Sequence, residues 1–102
     1  MATLEEITDR IRRAAAAGES VGKSIKLDLK GEGVVHIDGP VVTNEDRPAD
    51  LTVSISRADL EAMGRRELDP MRAVMSGRMK LSDMSLAMRL QPAIQSLFSK
   101  AV

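Results

Sequence analysis

The run Ser24-Ile25-Lys26-Leu27-Asp28-Leu29-Lys30-Gly31-Glu32-Gly33-Val34-Val35-His36-Ile37-Asp38 decides the fold. Ile25, Leu27 and Leu29 alternate with Lys26, Asp28 and Lys30, the period-two pattern of a strand buried on one face. Gly31-Glu32-Gly33 is a tight reversal, so the next strand is expected to pair antiparallel with the first as a hairpin. In that strand Val35 and Ile37 share one face, and Val34, His36 and Asp38 share the other.

The segments on either side of the hairpin add helices. Thr3 and Glu6 form a capping box, and Leu4, Ile7, Ile11 and Ala14 follow at helical spacing, so a helix is predicted from Leu4 to Ala17 with Gly18 as its stop. After the hairpin, Gly39-Pro40 interrupts the strand and Thr43 to Pro48 reads as a polar loop. Leu51, Val53 and Ile55 alternate with Thr52, Ser54 and Ser56 as a third strand. Ser56 and Asp59 open a short helix carrying Leu60 and Met63. Asp69-Pro70 opens another, with Met71, Val74 and Met75 as its apolar stripe and Gly77 as its end. Met79 and Leu81 make a fourth strand. Asp83 caps a last helical region, which Pro92 either kinks or divides. The order predicts one α+β domain over residues 1–102, with three strands in a meander and the fourth returning through a helical crossover.

Composition narrows the function. Fifteen basic and fifteen acidic residues give no net charge. This argues against nucleic-acid binding, which needs a basic surplus, and weakens the case for docking on anionic membranes. The absence of cysteine excludes thiolate chemistry and Cys-bound metals, and a single histidine argues against a His-based metal site. No apolar run is long enough for stable membrane insertion, and a cytoplasmic protein is expected. The preference for Arg over Lys and the abundance of Ala suggest a bacterial source.

The methionines carry the sharper signal. Of seven, six lie between Met63 and Met88, and Phe98 is the single aromatic residue. Methionine fills irregular gaps in cores, but it also suits a wall that must fit variable apolar shapes. In the last helical region, Met84, Met88, Gln91, Ile94 or Gln95, and Phe98 fall on one face, and Leu86, Leu90, Ala93 and Leu97 on another. A helix apolar nearly all round needs a partner on both sides. A ligand cavity, internal packing, or a second subunit or membrane would each provide one. An empty apolar cavity costs about 24 cal/mol per Å³. A domain this small must therefore fill a large void with ligand or collapse it with mobile side chains.

The run Ala49-Asp50-Leu51-Thr52-Val53-Ser54-Ile55-Ser56 with Ala58-Asp59-Leu60 resembles the third strand and following helix of the sterol carrier protein 2 family. The run Met75-Ser76-Gly77-Arg78-Met79-Lys80-Leu81, followed by Asp83-Met84 and Leu86-Ala87-Met88-Arg89-Leu90, resembles that family's fourth strand and the segment after it. Leu68-Asp69-Pro70 lies at matching spacing between them. The resemblance implies a mixed, largely antiparallel sheet of four to five strands, covered on one face by helices. It also implies an apolar tunnel between the layers that binds fatty acyl chains, acyl-CoA, sterols or other lipids, without metal or organic cofactor. The turn Leu81-Ser82-Asp83-Met84 departs from the family by being one residue shorter and lacking a glycine.

On this reading the ligand cavity is expected to be lined by Leu27, Val35, Ile37, Val53, Met63, Met71, Val74, Met75, Met79, Leu81, Met84, Met88, Gln91 and Phe98. No catalytic residue is assigned. His36 stands on the strand face opposite Val35 and Ile37, which favours a solvent-facing or structural role over catalysis. Asp28 and Asp38 share polar strand faces, and Glu45-Asp46 lies in a polar loop. Gly31-Glu32-Gly33 is a turn rather than a phosphate loop, because no helix follows it. Arg65-Arg66 reads as a solvated helix end or as a partner for an acidic headgroup. Gln91 interrupts an apolar face and could meet a ligand's polar end, or could equally face solvent beside Pro92. The leading expectation is a carrier of an apolar ligand. The alternatives are a pathway enzyme that shapes an isomerisation or cyclisation in the same cavity, and an accessory subunit docking through the last helix on a partner enzyme or a second copy.

Overall fold

The structure, a computed structural model, describes residues 3–17 and 22–101. Its first helix, α1 (Leu4–Ala16), opens with the predicted capping box. Glu6 N–H donates to Thr3 Oγ1 (3.2 Å) and Thr3 N–H donates to Glu6 Oε1 (3.3 Å). Its inward stripe is Ile7, Ile11, Ala14 and Ala15. The stop expected at Gly18 lies outside the described residues.

Strand β1 (Ile25–Asp28) pairs antiparallel with β2 (Val34–Asp38). The reversal places Lys30 and Gly31 at φ 49° and 89°, with Glu32 N–H donating to the Leu29 carbonyl (3.2 Å). Positive φ at both central residues matches the twist of the flanking strands. Gly33, at φ 132°, brings the hairpin against α1, and a Cβ there would stand 2.5 Å from Leu4 Cδ2.

Gly39-Pro40, expected to end the hairpin in a loop, instead makes a turn, and Val41–Thr43 returns as β3 beside β2. Three residues on a sheet edge are too few for alternation to mark them in sequence. Strand β4 (Leu51–Ile55), expected to complete a meander after β2, instead crosses over to pair parallel with β1, because β3 already occupies the other edge of β2, and β5 (Met79–Leu81) pairs antiparallel with β4. The sheet order is β3-β2-β1-β4-β5, a five-stranded mixed sheet. Register sets Val35, Leu27, Val53 and Leu81 in one row across it, and Val42, Ile37, Ile25 and Leu51 in the next. These rows face the helices.

Helices α2 (Arg57–Gly64) and α3 (Pro70–Met75), capped by Ser56 and Asp69 as predicted, return the chain from β4 to its antiparallel neighbour β5; the crossover expected there lies instead between β3 and β4. Of the stripe expected on α3, Val74 is half-buried, while Met71 and Met75 are exposed. Ala73 is the buried residue instead, because its small side chain lets α3 sit close to β5, where Arg78 N–H reaches the Ala73 carbonyl (2.9 Å). The last helix, α4 (Met84–Ala101), is continuous, with Pro92 inside it. Pro92 lacks the N–H that would bond the Met88 carbonyl, yet the helix continues because flanking turns and packing hold it. Leu86, Ala87, Leu97, Phe98 and Ala101 are buried, and α4 packs against both α1 and α2.

Polar ties fix these layers. Arg10 donates to the Ala101 carbonyl at the end of α4 (3.2 Å), and Arg12 to the Val42 carbonyl of β3 (3.1 Å). Asn44 donates to Thr8 Oγ1 and to the Val34 carbonyl, both at 2.9 Å. At the parallel pair, the Ser24 N–H and hydroxyl donate to Asp50 Oδ2 (3.0 and 3.1 Å), and Asp50 N–H donates to Ser24 Oγ (2.8 Å).

Two outcomes follow from these contacts. Gly33→Ala forces a side chain into positive φ against Leu4, and urea unfolding should show a loss of about 1–3 kcal/mol; an unchanged midpoint would refute the constraint. Backbone and hydroxyl hydrogen bonds from Thr3 hold Glu6 below its ordinary carboxylate range, and those from Ser24 do the same to Asp50. Both groups take up protons less readily folded than unfolded. The stability they lend is complete at neutral pH and is lost as pH falls below about 4, through their lowered folded values. The urea midpoint of Glu6→Gln or Asp50→Asn should therefore fall less steeply between neutral and acid pH than that of the parent. A parallel decline would show that these carboxylates are not the source.

Candidate functional site

The helices do not roof the sheet evenly. The β1–β2–β3 half is closed by α1 and by the second half of α4. The β4–β5 half is covered by α3 and the first half of α4, and there the layers part. The resulting crevice is lined by Val53, Met63, Pro70, Met71, Val74, Met79, Leu81, Met84, Ala87, Met88, Gln91, Ile94 and Gln95. Its volume is about 60 Å³, and it is partly open to solvent. Outside it the walls widen into a cleft of about 640 Å³, open to solvent and edged by Arg66, Glu67, Leu68, Asp69 and Pro92 beside Met88, Gln91 and Gln95.

Each wall has a local cause. Val53 and Leu81 are register partners on the helix-facing side of β4 and β5, and Met79 is paired with Ile55. Beyond Leu81 the ladder continues, because Ser82 N–H donates to the Thr52 carbonyl (3.0 Å) and Thr52 N–H donates to Ser82 Oγ (2.8 Å). Asp83 then caps α4 by accepting from Leu86 N–H (3.0 Å). The short turn therefore passes from strand to helix in two residues, both bonded. On α4, Met84, Met88, Gln91 and Gln95 recur one turn apart and line the crevice along its length. The Gln95 amide donates to the Met63 carbonyl near the end of α2 (2.9 Å), pinning α2 against α4.

Nine of the fourteen residues expected from sequence meet here: Val53, Met63, Met71, Val74, Met79, Leu81, Met84, Met88 and Gln91. The other five stand elsewhere. Leu27, Val35 and Ile37 lie on the correct sheet face but under the closed half of the roof, and Phe98 is sealed in the core where α4 runs beneath α1 and α2. Met75 is 81% exposed on the outer side of α3. Period-two alternation identifies the inward face of a strand, not which part of that face a helix covers. Pro70, Ala87, Ile94 and Gln95 were absent from the expected lining. Ile94 and Gln95 carried a signal, since both continue the helical stripe of Met84, Met88 and Gln91.

Among the described residues, no titratable side chain lines the crevice. Gln91 and Gln95 are its polar lining residues, and the rest are apolar. His36 is on the opposite face of the sheet, only 6% exposed, with Nε2 at 3.1 Å from the Pro48 carbonyl. A carbonyl accepts, so Nε2 carries the proton and the ring pins the polar loop to the sheet. Arg65 and Arg66 are exposed at the end of α2. Arg66 adopts φ 63° and edges the outer cleft. Among the described residues, no group of three His, Cys, Asp or Glu is placed to hold a metal ion, and no helix is long and apolar enough to cross a membrane.

Comparison with known proteins places these features in context. The profile of the SCP-2 sterol transfer family matches residues 4–95. "Non-specific lipid-transfer protein-like 1" of Caenorhabditis elegans is 28% identical over 95% of this chain and 91% of its own length. Rabbit (Oryctolagus cuniculus) "Sterol carrier protein 2" is 39% identical over 52% of this chain, and that match spans only 10% of the rabbit protein. Among solved structures, Aedes aegypti Sterol Carrier Protein 2 Like 2 superposes with a TM-score of 0.71 at 25% identity, covering 85% of this chain and 92% of the mosquito protein. The palmitated form of the mosquito protein superposes at 0.66, over 91% and 95%.

Proposed function

We propose that this chain, which belongs to the SCP-2 sterol transfer family, binds a slender apolar lipid, best a single fatty acyl chain, in the crevice between β4–β5 and the α3–α4 roof. The observation that supports this most directly is the composition of the lining. It combines four methionines from α3, α4 and β5 with Val53, Val74 and Leu81, and with amides at one end only. Such a surface rewards contact with hydrocarbon and offers nothing for proton transfer. The methionine side chains make a wall that can be displaced. The crevice at about 60 Å³ is far below the roughly 300 Å³ at which ligand pockets begin, so entry of a chain requires Met71, Met84 and Met88 to swing outward. Their unbranched side chains do this at low cost. The palmitated mosquito relative supports the choice of an acyl chain, and the Gln91 amide is positioned to meet its polar end.

Binding to the folded state alone must raise stability. A fatty acid at about 100 times its dissociation constant should add about 2.7 kcal/mol, which in a domain of this size raises the melting temperature by roughly 10 °C or more. Thermal melts with fatty acids, sterols and acyl-CoA would check this, and no shift with any class would refute the reading. Met88→Lys should abolish fatty-acid binding by placing a charge against the chain. Because Met88 is 60% exposed, the same change should move the melting temperature of the free protein by only a few degrees. Retained affinity in a displacement assay with a fluorescent fatty acid would place the site elsewhere.

A further inference from the structure

The chain holds seven methionines and no cysteine, so redox chemistry at its side-chain sulfur is thioether chemistry alone. The six methionines among the described residues divide by position. Met63 and Met79 line the crevice at 1% and 6% exposure and are sealed from water. Met71 (56% exposed), Met84 (44%) and Met88 (60%) line it from the solvent side, and Met88 also borders the outer cleft. Met75 is the most exposed, and it stands outside the lining. Three thioethers open to water are therefore also the surface offered to hydrocarbon.

A thioether that water reaches can also be reached by a peroxide. A sulfur lone pair attacks one oxygen of hydrogen peroxide, and the S–O bond forms as the O–O bond breaks. The departing hydroxide takes the proton of the transferred oxygen and leaves as water. Sulfur has lost two electrons, the peroxide has gained them, and a flexible apolar side chain has become a polar sulfoxide. In the free protein this costs little at Met71, Met84 and Met88, because the new oxygen stays hydrated. An acyl chain laid against it must strip that water and returns no hydrogen bond. The lining has little to offer instead. Its polar residues are Gln91 and Gln95, and the Gln95 amide is already engaged on the Met63 carbonyl. We propose that Met71, Met84 and Met88 form a reversible oxidation site, at which sulfoxide formation shuts the crevice to its apolar ligand while the fold stays intact. Leucine at these positions would give similar hydrocarbon contact and no such response. The proposal rests on the apolar-ligand reading for what is shut, but not for the order in which the sulfurs react.

Graded treatment of the intact protein with hydrogen peroxide tests the site. Peptide mapping by mass spectrometry assigns each sulfoxide, and displacement of a fluorescent fatty acid gives the affinity at each stage. Met75, Met88, Met71 and Met84 should be converted before Met63 and Met79. Affinity should hold as Met75 is oxidised, then fall roughly tenfold for each sulfoxide that the acyl chain must desolvate. Cooperative thermal melting should persist throughout. Methionine sulfoxide reductases for both epimers, supplied with a thiol reductant, should restore the affinity. Met75→Leu should bind as the parent does and remain sensitive to peroxide. A triple variant, Met71→Leu with Met84→Leu and Met88→Leu, should keep through peroxide whatever affinity it begins with. Unchanged affinity with Met84 and Met88 fully oxidised would overturn the site. So would a loss that tracks Met75, one that persists in the triple variant, or one that comes only when Met63 or Met79 is oxidised or the protein unfolds. In each of these cases the untreated protein still binds fatty acid, and the ligand reading stands. Untreated protein that binds no fatty acid would overturn that reading, and the oxidation site with it.

Discussion

The parallel pairing of β1 with β4 is the constraint on which the rest of the structure depends. Ile25 to Asp28 lie beside Leu51 to Ser54 in register, and the reciprocal bonds between Ser24 and Asp50 lock the start of that register. Among the described residues it is the one parallel contact in a sheet otherwise joined antiparallel. It fixes the N-terminal hairpin on one side and β5 on the other, so the two ends of the sheet are roofed by different elements. The hairpin side receives α1, tied down by Arg12 and Asn44. The β5 side receives α3 and the first turns of α4, which bring methionines rather than branched residues. A sealed core and a yielding crevice thus share one row of side chains, with Val35 and Leu27 in the core and Val53 and Leu81 in the crevice.

This arrangement explains why α4 is apolar on so many sides. It begins at the crevice, where Met84 and Met88 face partly outward, and ends in the core at Leu97, Phe98 and Ala101. Its first half lines a site and its second half anchors the helix, with Arg10 on its last carbonyl and Gln95 joining it to α2. The two faces of the helix therefore belong to different parts of it, a crevice wall at its start and internal packing at its end.

Much of the fold was legible in the sequence because its signals are local. The capping residues Thr3, Ser56, Asp69 and Asp83 act within one turn, and the alternation from Ile25 to Leu29 and from Leu51 to Ile55 records one buried face directly. Strand β3 was not legible, because three edge residues after Gly39-Pro40 are too few to show a period. The crevice was legible only in part. Helical spacing put Met84, Met88 and Gln91 together, and strand spacing put Val53 and Leu81 on the inward face, but nothing local separates Leu27 from Val53. That distinction comes from where α1 ends and α3 begins above the sheet, a property of the assembled layers. Met75 shows the converse. Its spacing from Met71 is correct for a buried stripe, yet Ala73 takes the buried position because α3 packs close against β5.

Strand β5 has a further consequence. It is three residues long and has one strand neighbour, so the wall of the crevice is also the rim of the sheet. Widening the crevice against a central strand would break two ladders at once. Here it strains a single short ladder fastened by Ser82 and Thr52, backed by a six-residue helix. The compliance of the crevice is therefore a mechanical property of sheet order, separate from the softness of methionine, and it is bounded by how far an edge can bend before its last hydrogen bond gives way.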